Sequence, residues 1–433
     1  MNPKRRARSL FFVGVVLMAL AGGRHADLVD RRSEHQLQAV PPEDTTPLVA
    51  ITTVAFGAFR GLVANALWMR AHELQESGQF FELVQLAAWI TQLEPNIPEV
   101  WEFQAWNLAY NISVLFPEDE DRWRWVQHGL DLLREDGLRN NPRSDVIHWN
   151  IGWMFQHKIG MDFDQSHDHY KKRLSEKITE AFDGPRPQTE AALEIARREF
   201  RMNPARIQAM EDRFGPLDWR LPHTHVLYWA DRGGDHARNR FQQGRLFRMR
   251  MQALSELLRR GELVLDEDGH PILALPRLSL LPVILEEFEQ LSDEDTVRRG
   301  FSGFLREALL LHAEYGDLET AMSLYERFHL LEPEYPSGEE GLQAVLASQA
   351  QMPEEMMSRD QAMIRITALL VQARRWEVAD PARSRGLTGM ARQVHRRYQS
   401  GRVSREHAQR TGLPPFDRMV DAIHARLNPG EIF

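Results

Sequence analysis

The chain has 433 residues, 43% hydrophobic and 27% charged, a composition that buries a substantial core and is unlike that of a disordered tail. Its formal net charge of −9 argues against nucleic-acid binding, because phosphate backbones need a basic footprint. The absence of cysteine excludes disulfides, thiolate catalysis, iron–sulfur clusters and cysteine-based zinc sites.

The N-terminus carries the first signal. Lys4, Arg5, Arg6 and Arg8 precede an apolar run over residues 10–21, LFFVGVVLMALA. That run is short for a spanning helix, which needs about 20 apolar residues. It matches the core of a secretory signal, with Ala19-Leu20-Ala21 as a cleavage site. Residues 1–23 therefore read as a signal peptide or an uncleaved signal anchor. In either case the basic flank stays in the cytoplasm and the rest is exported. The chain is expected at the periplasmic face of the inner membrane, tethered through residues 10–21, or in the periplasm if cut after Ala21. Residues 24–46 are polar, contain Pro41-Pro42, and read as a tether. A second apolar stretch, 48–69, holds Arg60 near its middle. A charge at that depth is costly in a bilayer, so a buried helix bent near Gly57 or Gly61 is expected.

Residues 47–183 read as helical hairpins. Gly78 separates a helix ending near Ser77 from one over 79–93, and Pro95 and Pro98 precede a second pair over 99–115 and 119–136. Asn141-Pro142 is expected to open a third pair, Asn as N-cap and Pro at the first helical position. Eight of the eleven tryptophans lie between Trp68 and Trp153, many at helical spacing, such as Trp149 with Trp153. Large aromatics between packed helices are normally core.

The middle, 184–291, is less regular. Helices begin at Asn203-Pro204 and Leu221-Pro222, and a long arginine-rich helix is predicted over 236–260. Residues 262–275 (ELVLDEDGHPILAL) give a β-hairpin around Asp268-Gly269. The hairpin pattern of helices resumes at Ser292 and continues through Glu332. Three further helices are expected near 353–377, 380–399 and 414–427. The fold class is all-α with one β-hairpin.

Two segments repeat one interval. Gly78 to Pro95 reads GQFFELVQLAAWITQLEP, and Gly316 to Pro333 reads GDLETAMSLYERFHLLEP. They resemble the tetratricopeptide repeat, a 34-residue helical hairpin with small and aromatic residues at set places. The late copy places Gly316-Asp317 at the turn, Ala321 at the small position, and Tyr325 and Phe328 on the packing face. In the early copy Leu83 and Ala87 swap sizes, and after Trp101 the second hairpin has a turn enlarged by Pro117–Asp121. Clear matches cover about a quarter of the chain. The run FRGLVANALWMRAHELQ is also similar to an uncharacterised group of bacterial membrane-anchored repeat proteins, which brings no activity with it. The expected architecture is a degenerate helical-hairpin solenoid.

The resemblance implies that the first helices of successive hairpins line a groove. Asn65, Trp68, His72, Gln75 and Glu76 would face it from the first hairpin, and Glu99, Glu102, Trp106 and Tyr110 from the second. Arg306, Leu310 and Glu314 would face it from the late one. Aromatic anchors with polar neighbours suit capture of a peptide or helix. The competing expectation is that Trp68 and Trp106 pack against the irregular first helix.

Catalytic patterns are weak. His148, His157, His167 and His169 cluster with Asp162, Asp164 and Asp168, and His223, His225 and His236 with Asp231 and Asp235. The spacings lack the i, i+4 ligand pair that a helix presents on one face. These histidines are expected to cap helices or sit at the surface, with no metal and no cofactor. Asp266-Glu267-Asp268-Gly269 lacks the ligand order of a calcium loop. The arginines of 236–260 are expected to pair with acidic neighbours, or else to meet anionic lipid. Together these features predict a non-catalytic protein–protein scaffold or recruitment module at the bacterial cell envelope. The alternatives are a structural subunit of a larger envelope complex, or a helical-toroid envelope enzyme using the histidine-rich segments.

Overall fold

The computed structural model describes residues 57–266, 268–289, 295–350, 357–400 and 411–430. The apolar run 10–21, the tether and the Ser292 cap lie outside the described residues. The chain falls into two compact units, 1–66 and 67–433. Among the described residues, no helix is long and apolar enough to cross a membrane.

Among its described residues the second unit is all-α, with one two-stranded antiparallel hairpin. Its helices are the later part of α1 (Gly57–Glu76), then α2 (Phe80–Leu93), α3 (Pro98–Trp106), α4 (Asp119–Asp131) and α5 (Asp145–Trp153). Next come α6 (His167–Phe182), α7 (Glu190–Glu199), α8 (Pro204–Phe214), α9 (Pro222–Gly234) and α10 (Arg240–Arg260). Strands β1 (Glu262–Leu265) and β2 (Pro271–Leu275) follow, then α11 (Leu281–Glu289), α12 (Asp295–Glu314) and α13 (Leu318–Leu331). The chain continues through α14 (Gly338–Ala350), α15 (Arg359–Trp376), α16 (Pro381–Ser400) and α17 (Phe416–Arg426).

Three helices run on through π turns, at Asn107–Ile112 after α3, Leu132–Gly137 after α4 and Met154–Gly160 after α5. Such turns insert a residue, re-aim the side chains beyond it, and are frequent at functional sites. The pairs α9 with α10, α12 with α13, and α15 with α16 pack closely, and α3, α5 and α10 lie side by side. Gly78 and Gly316 occupy corresponding turns with φ of 70° and 83°, the left-handed region that glycine enters without steric cost. Leu83 and Ala87, and in the late segment Ala321, Tyr325 and Phe328, are all buried.

Three local expectations change. The third hairpin does not begin at Asn141-Pro142: α5 begins at Asp145, and the Ser144 hydroxyl accepts from the Ile147 amide at 3.2 Å. Asn141 instead closes the preceding turn, donating its side-chain amide to the Pro95 carbonyl at 2.8 Å and so tying two hairpins together. Helix α15 starts not near Pro353 but at Arg359, behind a Ser358–Gln361 capping box. Helix α14 was not expected at all, because its sequence, GEEGLQAVLASQA, has a weak apolar face. The irregular middle holds the most deeply packed helix. Along α9, Thr224 through Ala230 are all buried against α5 and α10, with Trp229 fully enclosed.

Candidate functional site

The residues Glu102, Trp106 and Tyr110 follow one another at i, i+4 and i+8 along α3 and its π turn, so they share a face. Trp106 stacks on Tyr110 with ring centroids 4.0 Å apart and planes 14° from parallel, and remains 39% exposed. Helix α5 presents a matching series at the same interval. Trp149 stacks on Trp153 at 5.3 Å, and Trp153 on His157 at 4.9 Å. His157 closes the two series together, lying 5.7 Å from Tyr110 and 5.2 Å from Phe163. The result is a stripe of stacked rings across α3 and α5, exposed at Trp106 and elsewhere partly buried against the core. Its polar companions are Glu102, which hydrogen-bonds Asn150 and whose carboxyl is held above the usual range by burial, and Arg245 over the Trp149 ring at 4.8 Å.

The stripe is supported from behind by a buried ion pair. Lys158 Nζ donates to Asp164 Oδ2 at 2.5 Å, and the two side chains are only 3% and 7% exposed. Asp164 also accepts from the Tyr170 hydroxyl and the Ser166 amide, and the ammonium lies 5.1 Å from the Tyr110 ring. Burial lowers the Lys158 pKa despite its partner, and the Lys158 charge lowers that of Asp164 against burial.

At Phe163 the stripe meets a cavity of about 870 Å³ between α10 and α12. A smaller one, about 520 Å³, lies between the β-hairpin, the N-terminal end of α9 and α15. Both are lined by Gly160, His223, Arg260, Arg359 and Asp360, which form the wall they share. The charges in that wall are matched. Arg260 bridges Glu256 and Asp360, and Arg359 reaches Asp168 at 3.1 Å while donating Nε to the Gly412 carbonyl. Asp162, with His167 and Lys171 around it, is held far below the usual carboxylate range by those partners.

The histidines divide by role. His148 is fully buried, Nδ1 against the Ser144 carbonyl at 2.6 Å, and His225 directs Nε2 to the Trp219 carbonyl at 2.8 Å and stacks on Phe155. Burial pushes both down to about 3. His223, two residues from His225, turns to the shared wall instead and is pushed down to about 4. Asp266, Asp268 and His270 bring ligand atoms together at the hairpin turn. There Asp266 Oδ1 already accepts the Asp268 and His270 amides, which explains the arrangement as a turn.

The other groove residues scatter. Trp68 packs edge-on against Phe103 at 4.9 Å and donates to Glu94 at 3.4 Å. His72 pairs with Glu76 at the surface, and Asn65, Gln75 and Glu99 are exposed. Arg306 and Leu310 are half-buried and line neither cavity. Glu314 faces α15, near Arg365, where burial pushes its carboxyl up to about 7. From α12 the cavity takes Val297, Arg299, Gly300, Gly303, Phe304 and Glu307. Trp149 and Trp153 pack against the core, as large aromatics at helical spacing should, and with His157 they also continue the stripe. Their i, i+4, i+8 spacing matches that of Glu102, Trp106 and Tyr110 and was the available signal. No family model matches the chain, and no curated protein is similar to it.

Proposed function

We propose that the chain is a non-catalytic interaction scaffold of the bacterial cell envelope, holding a peptide or helix of a partner protein along the face of α3 and α5. The supporting observation is the stripe of stacked rings running from the exposed Trp106 to the partly buried His157. Rings already locked against one another offer large apolar area while losing little rotamer freedom on binding, the property of interface anchors. Glu102 and Arg245 flank the rings and supply directional polar contacts. The envelope placement rests on the basic and apolar N-terminal sequence. The test compares proteins recovered from native membranes by the full chain and by a Trp106→Ala/Trp153→Ala variant. A partner lost with the variant, at unchanged helicity by circular dichroism, supports the reading. The same proteins on both chains would sink it.

A second reading, a permanent subunit of a larger complex, draws on Phe81, Val114 and Leu115, apolar side chains exposed near the first two hairpin turns. Sedimentation of the full chain from gently solubilised membranes separates the two: a stoichiometric assembly favours the subunit, a single chain the scaffold.

A further inference from the structure

The cavity between α10 and α12 has features that the stripe does not explain. Its floor is apolar, with Phe247, Met251, Phe288 and Phe304 among the lining residues. Its acids are already matched: Glu256 and Glu307 pair with Arg259, Asp360 with Arg260, and Asp162 with Lys171. Three lining arginines, Arg240, Arg248 and Arg299, have no acidic partner among the described residues and are exposed. In a chain of net charge −9, that leaves a local cationic excess over an apolar floor.

Glycine supplies a second, independent observation. Gly244, Gly300 and Gly303 line the same cavity from the interiors of α10 and α12, where glycine weakens a helix. Neither backbone nor packing calls for them. None has a positive φ, and a Cβ would meet nothing within 4 Å at Gly303, only Phe288 at 3.9 Å at Gly300, and only the neighbouring Arg248 at 3.4 Å at Gly244. Their effect is to leave the cavity open.

We infer that this cavity is a binding site for an amphipathic carboxylate, its tail on the phenylalanine and methionine floor and its head group among Arg240, Arg248 and Arg299. A volume near 870 Å³ lies in the range of small-ligand sites and accommodates a tail of about a dozen carbons. Guanidinium groups suit a carboxylate because their paired N–H donors match its two oxygens. The site lies beyond the aromatic stripe and does not depend on capture of a protein there.

The test is calorimetric titration of dodecanoate into the full chain below micelle-forming concentrations, with dodecyltrimethylammonium as a cation of equal tail length. Dodecanoate should bind saturably at one per chain, the cation should not, and added salt should weaken binding. Replacing Arg240, Arg248 and Arg299 together by Gln should cost about tenfold or more in affinity, since three exposed charge contacts of modest strength are lost. Gly303→Trp, which fills open space without disturbing a packed neighbour, should remove binding. Far-UV circular dichroism confirms that both variants are folded. No saturable binding of dodecanoate, equal binding of the two amphiphiles, or wild-type affinity in either variant overturns the assignment. Loss of protein capture in the Trp106 and Trp153 variant with dodecanoate binding intact would separate this site from the stripe.

Discussion

At the scale of single residues, the same amino acid does opposite work depending on its surroundings. A Cβ on Gly341 would lie 1.9 Å from both the Pro336 carbonyl oxygen and the Tyr325 hydroxyl, which are themselves hydrogen-bonded at 2.5 Å. Neither atom can give way without breaking the seat of α14 on α13. Gly341→Ala should therefore destabilise the fold by about 3 kcal/mol or more. Gly303→Ala enters open space in a helix interior and should stabilise by about 0.5–1 kcal/mol, so urea midpoints of the two variants should move in opposite directions. Lys158 is the other sensitive position. Lys158→Met leaves buried Asp164 with only the more distant Arg122, at 3.5 Å, and should cost about 3 kcal/mol, the low end for breaking a buried pair. Adding Asp164→Asn should recover part of that loss, because a neutral amide is less costly to bury unpaired. A double variant no more stable than Lys158→Met would show that the charge itself is not what matters.

At the scale of elements, legibility followed the kind of signal each stretch carries. Helices opened by Asn203-Pro204 and Leu221-Pro222, and the hairpin around Asp268-Gly269, lie where their turn and cap residues placed them. The Asn141-Pro142 pair carries the same local signal but serves a long-range bond to Pro95, which no local rule contains. The α5 boundary is thus a direct test. Ser144→Ala should lose about 1 kcal/mol of stability through the cap, whereas Pro142→Ala, outside the helix, should be nearly neutral. The reverse ranking in thermal denaturation would restore the earlier start. The Trp149–Trp153–His157 series was hidden for a different reason. It has the spacing of a buried seam and packs partly on the core, and only the identity of its neighbours brings its rings into line with those of α3. The cationic cavity was equally beyond reach, since its arginines and glycines come from α10 and α12, more than fifty positions apart at their extremes.

At the scale of the whole molecule, the contact of α9 with α5 and α10 makes folding depend on two neutral imidazoles. His148 donates from Nδ1 to the Ser144 carbonyl, leaving Nε2 buried with no partner, and Arg232, His236 and Arg206 oppose a positive charge there. His225 lies between Phe155 and Trp219 with its Nε2–H committed to a backbone carbonyl. Both have folded pKa values near 3, well below the value of about 6.5 for an unfolded histidine. The unfolded chain therefore binds more protons than the folded one between those limits, and stability must rise with pH across that window. Conversely, the stabilisation is complete above about 6.5 and drains away as the pH falls towards 3. At pH 5 each of the two should have lost about 2 kcal/mol relative to neutrality, and His223, pushed down to about 4, adds in the same direction. The carboxylates of the shared wall contribute little in this interval. Asp162 and Glu256 are held below the ordinary range by their cations, so their stabilisation fades only below the usual carboxylate pKa, under pH 5. Glu314, held up to about 7, works in the opposite sense and regains about 2 kcal/mol over the same interval, so urea unfolding at pH 7 and pH 5 should differ by about 3 kcal/mol, with a net uptake of about two protons on unfolding at the lower pH. A stability flat between those values would mean that His148 and His225 carry protons in the folded chain, and the packing of α9 against α5 would have to be redrawn.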